Sequence, residues 1–261
     1  MRKYRPEIGR WMSRDPIGEG NVFLYVALAN NFICVFDLLG LISPNKVKTD
    51  CEDAIAFKRA ENNYVIKNPS PIDSMTEKKC NEMVDKIKSF NPVKPLLEQF
   101  SEDNNCPEPK ISCSCCNWYE NTEGVRKAST LGSYSASSGI TLCWNNIEAG
   151  LENGKDMTIE LNKVLAHELT HALQSCRGYP IDCIGDLKRE MEARICSNEC
   201  RNFDECIIMA LASSCGRKCN DPAIILHGLT DLQKWFFDKT RKGKGRPGGF
   251  CDFFRKKIRK R

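Results

Sequence analysis

The sequence predicts an α+β fold, and three observations carry that prediction. Two short β-type runs, KISCSCC and GITLCW, flank a Gly/Ser-rich stretch, LGSYSASSG, read as a loop. A strong helical run follows, MTIELNKVLAHELTHALQSC, whose apolar residues Ile159, Val164, Leu165, Leu169, Ala172 and Leu173 recur at helical spacing. Further helical segments and a heavy cysteine load then make up the C-terminal part. With 261 residues the chain is long enough for one sizeable core and a smaller appended unit.

Taken in order, residues 1–44 alternate turn signals (Pro6-Glu7, Gly9, Asp15-Pro16, Gly18, Gly20, Asn30-Asn31) with short apolar runs, a pattern of small strands and turns. Residues 45–109 read as a polar helical linker or packing region. One helix is expected through CEDAIAFKRAENNY, and another runs from Ser74 through EKKCNEMVDKIKSF on a stripe of Met83, Val84 and Ile87. Residues 110–238 hold the strands and the strong helix, with Asp156 as its cap and Gly178 as its stop. Helices are then expected from about Asp186 through LKREMEARICSNEC, over ECIIMALASSC, and around LTDLQKWFF. Residues 239–261 form a basic tail.

The net charge of +5 hides that tail: from Lys239 to Arg261 eleven Lys/Arg stand against one Asp, so the rest of the chain carries −5. Such a tail suits nucleic acid or anionic lipid, but its Gly and Pro residues fit a solvated end better, and nucleic-acid contact is not expected. No run of eighteen apolar residues is present, so no membrane span is expected. The N-terminus lacks a signal-peptide core, which points to a non-classical export route.

Sixteen cysteines argue for disulfides and an oxidising destination outside the producing cell. Cys196-x3-Cys200 and Cys215-x3-Cys219, fourteen residues apart, suggest two facing helices bridged Cys196 to Cys219 and Cys200 to Cys215. Each bond would be worth about 2–4 kcal/mol. A second zinc site is the rival reading of those four cysteines. Cys113, Cys115 and Cys116 are too crowded to pair with one another and are expected to bond elsewhere.

The chemistry centres on His167-Glu168-Leu169-Thr170-His171. Imidazoles at i and i+4 project from one helical face and can share one ion. Glu168 follows the first of them and can take a proton from a water that zinc has made acidic, which readies that water to attack a peptide carbonyl. The third ligand is read as Glu192, 21 positions after His171 on the next helix, with Glu190 as competitor. Tyr134, Tyr179, Arg194 and His227 are candidate hydrogen-bond donors to the developing oxyanion, and His227 is the one histidine the motif leaves over. GITLCW is expected to act as an edge strand for an extended substrate.

Two resemblances extend this reading. Tyr4-Arg5-Pro6, Gly9-Arg10-Trp11, Ser13-Arg14-Asp15-Pro16-Ile17-Gly18, Leu24-Tyr25, Asn30-Asn31 and Asp37-x-x-Gly40-Leu41 resemble the end of the core region of Rhs-repeat proteins. In that family a repeat-built shell carries a variable toxin domain and releases it by cleavage after the Asp-x-x-Gly-Leu element. Phe32 and Leu38 stand where the family has prolines. The resemblance implies a toxin cargo and a cognate immunity protein as partner.

Cys143, Leu165-Ala166-His167-Glu168-Leu169, His171-Ala172, Cys176-Arg177, Glu192, Arg194 and Cys200 resemble the zinc protease family that processes an ATP-synthase subunit in the mitochondrial intermembrane space. That resemblance implies a zincin-like metalloendopeptidase with a small mixed sheet on the motif helix, zinc on His167, His171 and Glu192, disulfides, and a protein or peptide substrate. Where the family has acidic residues, Gln174 and Ser175 stand here, and Leu187-Lys188 replace its histidines. The competing readings are a non-catalytic disulfide-rich module that keeps zinc structurally, and a nuclease cargo gripping nucleic acid through the basic tail.

Overall fold

The computed structural model describes residues 4, 5, 10, 11, 44–60, 65–103, 105–120, 126–128, 130–151, 156–200 and 202–242. In the N-terminal segment, β1 (Tyr4–Arg5) pairs antiparallel with β2 (Arg10–Trp11). The other Rhs-like residues, up to Leu41, lie outside the described residues, as do residues 243–261 of the basic tail.

Three helices lie ahead of strand 111–114: α1 (Pro44–Ala60), α2 (Ser74–Ile87) and α3 (Val93–Glu102). Asp73 caps α2 by accepting from the backbone N–H groups of Met75 and Thr76. One small sheet joins β3 (Val65–Lys67), β5 (Trp118–Glu120) and β6 (Arg126–Ala128). The other is mixed: β8 (Gly139–Cys143) lies between β4 (Ile111–Ser114), parallel to it, and β7 (Gly132–Ser135), antiparallel to it.

Strand β7 runs through the stretch read as a loop. Its Gly and Ser residues carry no strand signal of their own; the pairing with β8 makes the strand. The same pairing overturns β8 as an edge strand, because both its sides are taken.

Helix α4 (Trp144–Gly150) leaves β8 directly and carries Asn145 and Asn146. Asn145 exchanges two hydrogen bonds with the Cys116 backbone, and buried Asn146 donates to the carbonyls of Asn117 and Thr130. The approach to β7 is thereby pinned. The strong helix, α5 (Met157–Cys176), has the bounds its periodicity implies, with the Asp156 side chain accepting from Thr158 N–H. Helix α6 (Cys183–Cys196) begins ahead of Asp186 because Asp182 caps it, accepting from Gly185 N–H at 2.7 Å. Helices α7 (Phe203–Ser214) and α8 (Pro222–Lys242) complete the chain described.

Two buried apolar clusters result. One joins α2, α3, the mixed sheet and α5 around Ile87, Leu96, Ile140, Leu142, Leu165 and Leu169. The other joins α1, α6, α7 and α8 around Leu187, Met191, Phe203, Ile207 and Leu211. Helices α5 and α6 pack on each other across the boundary. No helix among the described residues is long and apolar enough to cross a membrane.

The disulfides follow these clusters. Cys80–Cys113, Cys106–Cys176 and Cys116–Cys143 staple the first, and Cys51–Cys215, Cys183–Cys219 and Cys200–Cys206 the second. Neither Cys196–Cys219 nor Cys200–Cys215 forms. The expected pairing needed Cys196 and Cys200 on one helical face, but α6 ends at Cys196 and Asn198 turns the chain at φ 60°. Cys200 then reaches Cys206 at the start of α7, while Cys196 is disulfide-bonded elsewhere. Cys113 and Cys116 do pair outside their own cluster, as their crowding requires.

Candidate active site

One helix supplies the core of the site. His167 and His171, four residues apart on α5, bring their Nε2 atoms to 3.0 Å. Glu190 of α6 reaches both, its carboxylate oxygens 3.8 Å from His167 Nε2 and 3.4 Å from His171 Nε2. These three residues form the metal-sized cluster found among the described residues.

The histidine tautomers follow from their other partners. Gln174 Nε2 donates to the Arg189 carbonyl at 3.0 Å and to a Glu192 oxygen at 2.8 Å. Both partners are acceptors, so the amide nitrogen must face them and Gln174 Oε1 must face His171 Nδ1, 2.9 Å away. His171 therefore carries its proton on Nδ1. His167 Nδ1 lies 3.0 Å from Glu199 Oε1 and donates to it. Both Nε2 lone pairs are thus left pointing at each other. Two bare acceptors 3.0 Å apart repel unless a cation sits between them.

The surrounding charges answer that need. Burial pushes the Glu190 carboxyl up, but His171 beside it, with His167 and Arg194, outweighs burial and brings it down to about 2. Glu199 is held low in the same way, against its burial, by His167, Arg194 and Ser197. Burial also opposes the charged form of His171, yet Glu190 and Glu168 raise its proton affinity above the ordinary value. A cation of either kind is welcome here. Two imidazoles and a carboxylate are also the donor set of a zinc centre with one position left for water or substrate. Nitrogens about 2.0–2.1 Å from a tetrahedral ion lie roughly 3.4 Å apart, close to the spacing found.

Glu168 is turned away from the histidine stripe toward the sheet. Gly132 of β7 packs against it so closely that a Cβ there would lie 2.7 Å from Val164 Cγ1 and 3.1 Å from Glu168 Cγ. Only a glycine lets the strand come this near the motif helix. Glu168 is buried, which raises its carboxyl above the usual range, while His167 and His171 pull it partly back. It is thus a carboxylate with raised proton affinity, beside an ion site and beneath the outer strand of the sheet.

Glu192 is not brought to the histidines. Residues two apart on a helix point some 200° apart, so with Glu190 facing the pair, Glu192 faces away from it. It is fully buried, accepts from Gln174, and is hydrogen-bonded by the Tyr179 hydroxyl. Against the expectation, the structure brings Glu190 and not Glu192 to the histidine pair. Tyr179 is likewise removed from the oxyanion candidates: its hydroxyl serves Glu192, and burial raises its pKa far above the usual value. His227 is exposed on α8, a helix packed on α1 and α6, and takes no part in the described contacts of the pair.

Arg194 binds the site's carboxylates. Its guanidinium lies 3.7 Å from Glu190, donates to Glu199 at 2.5 Å and reaches Ser213 Oγ at 2.6 Å. Glu199 is the residue of this cluster that the sequence does not disclose. It sits past the end of α6, where Glu199 N–H bonds back to the Arg194 carbonyl, and no periodicity marks it. The turn residue Asn198 beside it is the one available signal.

Comparison with known proteins adds one match. A family model described as the Peptidase M76 family matches residues 78–219, more than half the chain. No curated protein and no solved structure matches.

Proposed function

The chain belongs to the Peptidase M76 family, a metallopeptidase family, and on that premise we propose that it is a zinc-dependent endopeptidase carried as the toxin domain of an Rhs-type effector. The observation that supports the metal chemistry is the pair of Nε2 atoms 3.0 Å apart with Glu190 beside them. His167, His171 and Glu190 would hold the ion. When bound, zinc supplies Lewis acidity: it polarises a peptide carbonyl and makes water easier to deprotonate.

The remaining steps belong to the chain. Glu199 and Gln174 hold the two imidazoles by Nδ1, so that both Nε2 atoms face one point. The Glu168 carboxylate accepts the proton of the attacking water. Its raised proton affinity lets it keep that proton until the departing amine takes it. β7 presents an unshared edge among the described residues, so an extended substrate can add to it next to Glu168. That arrangement, a mixed sheet lying on the motif helix, is what supports a zincin-like fold.

The toxin assignment draws on the Rhs-like residues between Tyr4 and Leu41, and it brings with it a cognate immunity protein and release by cleavage after Leu41. The disulfides suit an oxidising compartment, and delivery outside the producing cell is part of this reading. The purified protein should bind about one zinc per chain and cleave unfolded protein. Glu168→Gln should keep the zinc and lose about 10²–10⁴-fold in cleavage rate. Undiminished cleavage by that variant would reject the mechanism. The same variant is the control for growth arrest when the chain is directed to an oxidising compartment.

A further inference from the structure

We infer that the cavity at the N-terminal end of the motif helix is a side-chain pocket that selects a bulky apolar residue of the substrate. The inference rests on the peptidase reading and deepens it. The cavity, about 490 Å³, is bounded by Phe90 and Pro92 at the α2–α3 connection, by Ile159 and Lys163 on α5, and by Ser197 beyond α6.

Its position ties it to the ion site from both sides. Ile159, Lys163, His167 and His171 follow one another at four-residue steps, so they form one stripe along α5. Each step advances about 6 Å along the axis. The pocket thus opens one turn beyond His167. Across the cleft, Ser197 Oγ donates at 2.7 Å to Glu199, the carboxylate that holds His167. An extended peptide advances about 3.3 Å per residue. A substrate whose scissile carbonyl lies at the histidine pair therefore delivers a side chain to this cavity about two or three residues from the cut.

The lining states what that side chain should be. Phe90 and Ile159 are large apolar residues, yet they are 39% and 54% exposed, and both front this cavity. Asn91, Thr158, Asn162 and Asn198 complete the wall, whose charged residues are Lys86, Asp156 and Lys163. Lys163 Nζ pairs with Glu160 at 2.8 Å, and the Asp156 carboxylate accepts from Thr158 N–H at 2.8 Å. The lysine stem then contributes methylenes to the wall. Lys86, exposed at the rim, repels a basic residue. An apolar side chain gains contact here with Phe90, Ile159 and the Lys163 stem.

Profiling of cut sites in a denatured protein mixture tests this, read by mass spectrometry. The wild-type enzyme should favour Phe, Leu, Met or Trp at one fixed position within about three residues of the cut. Ile159→Trp, which fills the pocket, should move that preference to small residues, and Ile159→Asp should remove it. A second readout needs no turnover. On the Glu168→Gln protein, a labelled peptide with Phe at that position should bind about tenfold tighter than its Ser counterpart, and Ile159→Trp should erase the difference. Cleavage with the same profile in all three proteins overturns the inference and leaves the peptidase reading standing. No cleavage by the wild type sinks that reading and the inference with it.

Discussion

The two halves of this molecule contribute to one site by different means. The half built on the mixed sheet supplies His167, Glu168 and His171 from a single helix, so their geometry comes from local spacing. The half built from α1, α6, α7 and α8 supplies Glu190, Arg194 and Glu199, spread over a helix and the turn that ends it. Their stapling differs as well. Disulfides in the sheet half close separations of 27 to 70 residues, whereas in the helical half they range from 6 to 164. The long one, Cys51–Cys215, ties α1 to the end of α7 across the whole sheet half. The histidine pair and Glu168 are thus written into one helix, while the carboxylate beside the pair depends on how the other half closes.

That contrast breaks first at the longest staple. In the chain-entropy account, removing Cys51–Cys215 should cost about 5 kcal/mol and removing Cys200–Cys206 about 2 kcal/mol, each taken alone. Chemical denaturation of the paired Cys→Ala variants measures both. Equal losses would show that the helical half does not owe its stability to closing the chain end to end.

The ligand assignment sharpens the contrast next. Glu190→Gln should weaken zinc binding at least 100-fold. Glu192→Gln should stay within the 10–100-fold of a supporting group, because its carboxylate acts through Gln174. Competition with a chelator reads both constants. A greater loss in Glu192→Gln would mean that α6 presents its other face to the histidines.

An effect smaller than that of Glu190→Gln, and in the range given for Glu192→Gln, is expected at Glu199→Gln. The amide can still accept from His167 Nδ1, but the negative charge and the Arg194 ion pair are lost. Zinc affinity should fall about 10–100-fold and recover in no part with added salt. Affinity equal to wild type would reduce Glu199 to a turn residue that merely ends α6.

Much of this was readable beforehand where the signal is local. The bounds of α5 follow from apolar periodicity with Asp156 as cap, and the histidine pair needs only the helical repeat. The crowding of Cys113 and Cys116 also foretold partners elsewhere. What stayed hidden depends on a neighbour. β7 is Gly/Ser-rich and becomes a strand only beside β8, and the choice between Glu190 and Glu192 is a choice of helix rotation. The cysteine pairing failed for the same reason, since one turn at Asn198 removed the helical face on which it relied.

By itself, then, the amino-acid order determined a helix bearing His167, Glu168 and His171 on a four-residue repeat, and a cysteine content suited to an oxidising place. Only the packed molecule decided which carboxylate stands beside the histidines, which strand lies open beside Glu168, and which cysteines meet. The physical reason is range: a helix sets its own geometry within one turn, whereas rotation of α6, pairing of β7 and closure of each disulfide are set by contacts with residues far away in the chain.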